Sequence, residues 1–290
     1  MRLYVYRDRA PNFGDELNAW LFPRLLPGFF DDAPDALFLG IGSILFDSHP
    51  AGARKLVFGS GYGGYTAPPV MDSSWDVRFV RGHRTAAQFG LPAATAVGDS
   101  AILLATLGLR RTPLAGKRIF MPHIDSACDG AWAPAAAEAG LHYVDPRGSV
   151  DAILAEILSA EMVVTEAMHG AIVADALRVP WVGMRPLHAV HHNKWLDWAS
   201  VLDLRPRLQK LPPSNALEVA LRAASGRREV QRRLRWYFRA HTAFGAGLAR
   251  AAAVRALRAA AAATPQLSAD PALDRAASRM QQALHRLTSG

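Results

Sequence analysis

The sequence contains almost no cysteine: Cys128 is the single one among 290 residues. One cysteine excludes an intrachain disulfide and a zinc site built from several thiolates, and it is typical of proteins from reducing compartments. A long apolar run is also missing near the start, because MRLYVYRDRAPNFGDEL carries charges throughout. That stretch resembles neither the apolar core of a signal peptide nor a membrane span, so we expect a cytoplasmic protein.

Acidic residues are scarce in the last part of the chain. Residues 205–290 contain 16 Lys/Arg and 4 Asp/Glu, whereas residues 1–204 contain 17 and 21. The tail therefore accounts for the net charge of +8. A basic segment is compatible with binding to nucleic acid, but a basic patch confined to one region says little about the function of the rest of the chain. We predict that no nucleic acid is bound.

The tail predicts a basic helical extension over 215–290. Four arginines at spacings of three or four share one helix face: Arg228, Arg232, Arg235 and Arg239. Three aromatic residues lie beside them: Trp236, Tyr237 and Phe238. Such a face suits an anionic membrane surface, and it equally suits the solvated side of a helix packed on the rest of the protein. We expect the segment 259–290 to be weakly ordered or peripheral.

Short apolar runs recur along the first two thirds of the chain. Eight of them predict β-strands: 2–7, 36–43, 55–61, 77–82, 118–123, 141–146, 161–165 and 181–186. Several are almost continuous in Val, Ile, Leu and Phe, as expected of parallel strands covered on both faces. Between two of them an amphipathic helix is predicted with these residues buried: Val150, Ile153, Leu154, Ile157 and Leu158. The pattern predicts an α/β protein.

The segment LRRTPLAGK (109–117) is interpreted as a linker between two sheets. We therefore predict two Rossmann-like lobes with a cleft between them, an N-terminal lobe over 1–113 and a C-terminal lobe over 114–214, followed by the extension. Polar residues follow many of the strands. Because open α/β sheets bind ligands at the carboxyl ends of their strands, we expect the functional site at that edge.

The segment TEAMHGAIVADALRVP (165–180) places a histidine and a glycine where a strand gives way to a helix. His169 and Gly170 then lie at the helix N-terminus, where unpaired backbone N–H groups and the helix dipole favour an anion. Gly170 would let a ligand approach the main chain closely. A capping or loop role for His169 is the alternative.

Other polar segments follow strands in the same way. PNFGDELN (11–18) puts Asp15 near a helix start, where it acts either in the site or as an ordinary N-cap. GIGS (40–43) and GSGYGG (59–64) could cradle a phosphate, but neither completes a dinucleotide fingerprint. VRG (80–82) and VGDSAIL (97–103) add Arg81 and Asp99.

Taken in order, seven segments resemble the polysaccharide pyruvyl transferase family, in particular the bacterial exopolysaccharide ketal-pyruvate transferases: NFGDEL, GSG, VRG, VGDSAIL, MPHID, MHGAIVADALRVPWVG and HNKWLDW. The resemblance spans residues 3–204. Its most specific parts are NFGDEL and MHGAIVADALRVP. Many members carry Arg-Leu-His-Gly where this chain has EAMHG, so Glu166 and Met168 depart from that pattern.

The resemblance implies phosphoenolpyruvate as donor and a hexose of a lipid-linked oligosaccharide as acceptor. The implied products are a cyclic pyruvate ketal and free phosphate, formed without a cofactor. The implied fold is GT-B-like, with the donor on the C-terminal side of the cleft and the acceptor on the N-terminal side. A basic tail would keep such an enzyme near its acceptor, as a peripheral protein on the inner face of the plasma membrane.

Phosphoenolpyruvate carries a carboxylate and a phosphate on a three-carbon frame, so its pocket needs several cations and amides. We expect six residues to bind the donor: Arg81, His123, His169, Gly170, Arg185 and Lys194. We expect four to bind the acceptor: Asn12, Asp15, Gly61 and Asp99. Each of the charged residues has a plain structural alternative, the arginines in ion pairs, Lys194 as a solvated charge and His123 in a loop.

Ketal formation requires a proton for the methylene carbon and activation of two sugar hydroxyls, which calls for an acid and a base. The carboxyl candidates are Asp15, Asp99 and Glu166, since a desolvated cleft raises the pKa of a carboxyl group. We predict that Asp15 activates the acceptor hydroxyl and that Glu166 protonates the donor. His169 is the alternative proton donor.

The segment HAVHHNKW (188–195) brings His188, His191 and His192 together. No carboxylate stands at a recognised spacing from them, so we predict that no metal is bound. Trp181, Trp195 and Trp198 are expected in the core rather than against sugar rings.

Two other functions remain open from the sequence. A GT-B glycosyltransferase that uses a nucleotide sugar would need a carboxylate for the ribose, and Glu166 is a candidate. A non-enzymatic protein that binds nucleic acid or membranes through its tail is the second alternative. That function would not explain the polar strand ends in the acidic part of the chain.

Overall fold

The computed structural model describes residues 1–8, 10–240 and 246–289. The strands are β1 Arg2–Leu3, β2 Ala36–Leu39, β3 Arg54–Phe58, β4 Trp75–Phe79, β5 Arg118–Met121, β6 His142–Tyr143, β7 Met162–Thr165, β8 Trp181–Met184 and β9 Leu208–Gln209. The α-helices are α1 Phe13–Leu25, α2 His83–Gln88, α3 Ile124–Asp129, α4 Trp132–Glu138, α5 Val150–Leu158, α6 Met168–Ala176, α7 His192–Ala199, α8 Ala216–Ala223, α9 Arg228–Ala240, α10 Ala246–Ala261 and α11 Asp270–Thr288. A 3-10 helix spans Ser100–Thr106.

The strands form two parallel sheets. The first has the order β1-β2-β3-β4 and the second the order β6-β5-β7-β8-β9. Every residue of β7 and of β8 is buried, as expected of parallel strands covered on both faces. The α/β class and all eight predicted strands are confirmed, each strand being shorter than its apolar run. The sequence analysis missed β9, whose two residues carry no such run.

Helix α5 forms where the sequence predicted it. Ser149 caps it, because its hydroxyl oxygen accepts a hydrogen bond from the Ala152 N–H at 3.3 Å. Four of the five residues predicted on its inner face are buried and Leu158 is partly buried. The three tryptophans Trp181, Trp195 and Trp198 lie fully in the core with their ring centres 5.7–6.4 Å apart, so that prediction is also confirmed.

The C-terminal helices complete the core of both sheets. Helix α10 packs on α4, β7 and β8, and α11 packs on the 3-10 helix Ser100–Thr106. Helix α11 buries an apolar stripe at helical spacing: Ala272, Leu273, Ala276, Ala277, Met280 and Leu284. The expectation that the segment 259–290 is weakly ordered or peripheral is therefore wrong for α11, because this stripe belongs to the main hydrophobic cluster.

Helix α9 carries the predicted basic face only in part. Arg232 and Arg233 are exposed and pair with Glu229, whereas Arg235 binds Asp129 at 3.0 Å and joins the helix to α3. Trp236 is 73% exposed. The side chains of Arg228 and Arg239 lie outside the described residues. Among the described helices, none combines the length and the apolar character needed to cross a bilayer.

The packing of α11 predicts a difference between two leucines of the tail. Leu273 is 3% exposed, whereas Leu248 on α10 is 89% exposed. We expect Leu273→Ala to lower the free energy of unfolding by about 2–5 kcal/mol, because it leaves a cavity in the core. Leu248→Ala should change it by about 0.5 kcal/mol or less. Urea unfolding of both variants measures this, and equal effects would show that α11 is not part of the core.

Candidate active site

A cavity of about 490 Å³ opens where the carboxyl ends of both sheets meet. The first sheet contributes residues that follow β1, β2 and β3: Tyr4, Ser43 and Tyr65. The second contributes residues that follow β5, β7 and β8: His123, His169 and His191. The volume lies in the ordinary range of small-molecule sites, and both halves of the chain are needed to form it.

The strand order of the second sheet explains the position of the cavity. The chain passes from β5 to β6 on one side and returns to β7 on the other side of β5. The segments that leave β5 and β7 therefore diverge, and such a switch point is where open α/β sheets bind ligands. His123 follows β5 and His169 follows β7.

His169 is the second residue of α6, so its predicted place at a helix N-terminus is confirmed. The imidazole lies directly against the first turn of α1. A Cβ atom on Gly14 would stand 1.9 Å from Nδ1 of His169, which leaves no room for any side chain at that position. Gly14 therefore allows α1 to approach the ring that lines the cavity.

Asp99 lies behind His169 rather than in the cavity wall. One of its carboxylate oxygens accepts the Ala101 N–H at 3.0 Å and caps the 3-10 helix Ser100–Thr106. The other stands 3.5 Å from Nε2 of His169, beyond good hydrogen-bond distance. Both of these facing atoms are buried, and neither has a hydrogen-bond partner among the described residues. Asp99 thus supports the far side of the imidazole.

Asp15 lines the cavity near His169. The N-cap of α1 is Asn12, not Asp15, and the Asn12 amide donates a hydrogen bond to the Asp15 carboxylate at 2.7 Å. Burial raises the pKa of Asp15, and the hydrogen bond from Asn12 and the charges of His169 and Lys194 offset only part of this increase. A carboxyl group with a raised pKa beside an imidazole is suited to proton transfer.

Two imidazoles and one carboxylate form a compact cluster in the cavity wall. The rings of His123 and His191 stack with centres 4.2 Å apart. An Asp125 carboxylate oxygen lies 3.4 Å from Nδ1 of His123 and 3.2 Å from Nε2 of His191. The Tyr65 hydroxyl is 2.9 Å from Nδ1 of His191, and the Lys194 ammonium is 3.4 Å from Nε2 of His123.

Burial and hydrogen bonding together determine the charges of this cluster. Burial and the neighbouring His123 and Lys194 lower the pKa of His191 to about 3, and burial lowers the pKa of His123 as well. Burial alone would raise the pKa of Asp125, but hydrogen bonds with the two imidazoles outweigh it and lower that pKa. At neutral pH the cluster therefore holds two neutral imidazoles and one carboxylate.

Glu166, predicted to protonate the donor, does not line the cavity. Its two carboxylate oxygens accept backbone N–H groups of His123 and Leu187, each at 2.9 Å. The side chain therefore joins the segment after β5 to the segment after β8. Burial raises its pKa to about 7, although the two backbone hydrogen bonds lower it in part.

Arg81, predicted to bind the donor, is fully buried in an ion pair. Its Nε donates to an Asp197 carboxylate oxygen at 3.0 Å and its Nη1 to the Ser43 hydroxyl at 2.7 Å. Gly61, predicted to bind the acceptor, makes room for this guanidinium, because a Cβ there would stand 2.2 Å from Cζ. Arg81 thus reaches the cavity only through Ser43.

Two further predicted donor residues lie away from the cavity. Arg185 is exposed, and its backbone N–H donates to Gln209 in the pairing of β8 with β9. Gly170 packs α6 against β7, since a Cβ at this position would stand 2.5 Å from the Thr165 hydroxyl oxygen.

Of the eleven predicted site residues, five line the cavity: Asn12, Asp15, His123, His169 and Lys194. The sequence analysis missed that Tyr4, Tyr6, Tyr65, Asp125 and His191 also line the cavity. The segments MPHID and HAVHHNKW contain the last two, but the sequence has no signal that the two segments meet. The alternating aromatic residues of RLYVYR were a signal for the tyrosines.

The chain was compared with known proteins. The family model for polysaccharide pyruvyl transferase matches residues 69–188, which include His123 and His169. The succinoglycan biosynthesis protein ExoV of Rhizobium meliloti (strain 1021) is 40% identical over 230 residues, which is 77% of this chain and 72% of that protein.

The raised pKa of Glu166 predicts how stability changes with pH. The native carboxyl binds its proton up to a pKa of about 7, against an ordinary value of 4.5. The native state therefore holds more protons than the unfolded state between these values, so stability falls as pH rises through that window, by an amount on the order of 3 kcal/mol. Glu166→Gln has no such proton to lose.

Urea unfolding at pH 4.5 and at pH 7.5 tests this prediction. The wild type should lose more stability over the window than Glu166→Gln, even though the amide leaves one backbone N–H poorly paired at both pH values. Parallel pH profiles for the two proteins would contradict it.

Proposed function

The chain belongs to the polysaccharide pyruvyl transferase family, and we propose on that basis that it transfers pyruvate from phosphoenolpyruvate to a hexose of a lipid-linked exopolysaccharide repeat unit. The transfer forms a cyclic pyruvate ketal and releases phosphate. The observation that carries the proposal is the position of His169: it lies in the first turn of α6, in the wall of a cavity shared by both sheets, and Asp15 lines the same cavity.

The donor site is proposed at the carboxyl ends of β5 and β7. Lys194 and His169 line that part of the cavity, and the N-terminus of α6 adds its backbone N–H groups. A cation, an imidazole and a helix N-terminus together suit a small dianion such as phosphoenolpyruvate. We assign donor binding to Lys194, His169 and His123, and a supporting role to Arg81, which holds Ser43 in the wall.

The reaction joins two sugar hydroxyls to the same donor carbon, the first by addition and the second by substitution of the phosphate. Protonation of the methylene carbon makes the adjacent carbon electrophilic, and the first sugar hydroxyl bonds to it and gives up its proton to a base of the protein. The second hydroxyl then replaces the phosphate, which leaves with the remaining hydroxyl proton. The donor already carries the activated group, so we propose that the transfer needs no cofactor.

Asp15 and His169 are proposed to move these protons. Asp15 has a raised pKa and lies in the wall near His169, which suits a base for the acceptor hydroxyl. We assign protonation of the donor to His169 in place of Glu166, because both oxygens of Glu166 are engaged by backbone N–H groups outside the cavity.

The acceptor is proposed to bind on the side of the first sheet. Four aromatic rings line that part of the cavity: those of Tyr4, Tyr6, Phe46 and Tyr65. The ring centres of Tyr6 and Phe46 are 5.7 Å apart. Such rings bind the apolar faces of sugars while their hydroxyls bind water or sugar oxygens. In this proposal the fold is GT-B-like, with an acceptor lobe over 1–113 and a donor lobe over 114–214.

The activity assay combines the purified protein, phosphoenolpyruvate and a lipid-linked oligosaccharide extract. We expect phosphate release together with a mass gain of one pyruvate ketal on the acceptor. His169→Ala should lower turnover by about 100-fold or more, since it removes a proton-transfer group. His142→Ala is the matched control, because His142 is exposed on β6, away from the cavity.

Other outcomes would contradict the proposal. Binding and transfer of a nucleotide sugar without turnover of phosphoenolpyruvate would favour the glycosyltransferase alternative. Full turnover by His169→Ala would remove the assignment of that residue.

Contact with a membrane is proposed through α9. Arg232, Arg233 and Trp236 are exposed on this helix, and a lipid-linked acceptor would lie at an anionic surface on the inner face of the plasma membrane. We expect the double variant Arg232→Glu/Arg233→Glu to bind vesicles containing anionic lipid about tenfold or more weakly, at about 1 kcal/mol for each cation removed.

The control for this prediction reverses the same amount of charge elsewhere. Arg84 and Arg110 are exposed outside the C-terminal helices, and Arg84→Glu/Arg110→Glu should retain most of the binding. Vesicle sedimentation measures both variants. Equal losses would show that only the net charge matters and would contradict a contact through α9.

A further inference from the structure

We propose that His123, Asp125 and His191 form a binding site for one divalent transition-metal cation in the wall of the cavity. The proposal concerns metal binding by these three side chains and does not depend on which donor the protein uses. It replaces the prediction, made from HAVHHNKW alone, that no metal is bound.

The spacing of the three side chains matches one coordination shell. A carboxylate oxygen of Asp125 lies 3.4 Å from Nδ1 of His123 and 3.2 Å from Nε2 of His191, and all three potential ligand atoms lie within 4.8 Å of one another. With metal–ligand distances of about 2.0–2.2 Å, the ligand atoms of one tetrahedral ion stand about 3.4 Å apart. The Asp125 carboxylate is therefore already at ligand spacing from both imidazoles, and the two ring nitrogens lie within 4.8 Å of each other.

The ligands are also held in position by their surroundings. The Tyr65 hydroxyl is 2.9 Å from Nδ1 of His191, which fixes the ring with Nε2 toward Asp125. The backbone N–H of His123 is bound to Glu166, and its ring stacks on that of His191. Hydrogen bonds to the outer nitrogen of a ligating histidine are the usual support of protein metal sites.

The donor set selects the class of cation. Two imidazoles and one carboxylate suit Zn²⁺, Co²⁺ or Mn²⁺ better than the soft Cu⁺, which prefers sulfur ligands. Three protein ligands leave at least one coordination position for water or for an oxygen of a bound molecule. All three side chains line the cavity, so we place that open position on the cavity side.

Lys194 provides an internal check on the location. Its ammonium stands 3.4 Å from Nε2 of His123, and ligation through Nδ1 would leave a proton on Nε2. The ammonium would then turn away from the ring, and its positive charge would oppose that of the metal. Loss of this charge should therefore strengthen metal binding, a result that only a cation close to His123 would produce.

The sequence could not show this site because its ligands are far apart in the chain. Asp125 lies 66 residues from His191. The neighbouring His188 and His192, which made the run conspicuous, are not members of the described cluster. A sequence pattern reveals a metal site only when its ligands lie close together in the chain, on one or two neighbouring elements.

Titration of the chelator-treated protein with Co²⁺ tests the proposal. We expect one equivalent to bind, with visible absorption bands of low-coordinate Co²⁺ that Zn²⁺ abolishes by competition. Asp125→Asn and His191→Ala should weaken binding by about 100-fold or more, and Tyr65→Phe by about tenfold, the smaller value typical of an outer partner. Lys194→Met should bind more tightly than the wild type.

The control is His142→Ala, which removes another imidazole paired with a carboxylate, that of Glu156 at 3.3 Å on the surface. This variant should bind Co²⁺ like the wild type. The absence of visible bands at millimolar Co²⁺, or equal binding by the wild type, Asp125→Asn and His191→Ala, would overturn the proposal. If those two variants fail to fold, Tyr65→Phe and Lys194→Met decide it, and unchanged affinity in both overturns it.

The readout separates this site from the proposed function. If Co²⁺ binds in the expected pattern but the protein does not turn over phosphoenolpyruvate, the metal-site proposal is supported and the proposed donor is contradicted. If the protein turns over phosphoenolpyruvate but binds no Co²⁺, the proposed donor is supported and the metal-site proposal is contradicted.

Discussion

The candidate site depends on the contact between α1 and the first turn of α6. The His169 ring fills the space that a side chain at position 14 would need, so the two helices can meet only because that residue is glycine. Asp99, at the start of the 3-10 helix packed on α6, closes the opposite side of the ring. Three segments distant in the chain thereby hold one imidazole at the cavity wall.

Buried polar side chains extend this support outward. Arg81 and Asp197 are both buried, and their pair links the end of the first sheet to α7, which carries Lys194. Glu166 does the same within the second sheet by binding the segments after β5 and β8. Removing one partner leaves an uncompensated charge or hydrogen-bond donor in the core, which lowers the free energy of unfolding by several kcal/mol. These polar residues therefore matter as much to stability as the residues of the apolar core.

The division between cavity-lining and supporting residues also explains which of the predicted site residues line the cavity. Asp15, His123, His169 and Lys194 follow strands or begin helices at the edge where ligands bind, and they line the cavity. Arg81 and Arg185 follow strands as well, but one turns inward to Asp197 and the other outward to solvent. Position at a strand end predicts the edge of the sheet and not the direction of a long side chain, which depends on the partner within reach.

The sequence by itself determined the eight strands, helix α5, the helix start at His169 and the α/β class. These features follow from hydrophobic periodicity and capping, which act between residues close in the chain. Only the tertiary structure decided that Asp125 contacts His191, that Arg81 forms a buried ion pair with Asp197, and that α11 belongs to the core. Those contacts join residues from different elements, and their existence depends on how the elements pack against one another, which no local pattern encodes.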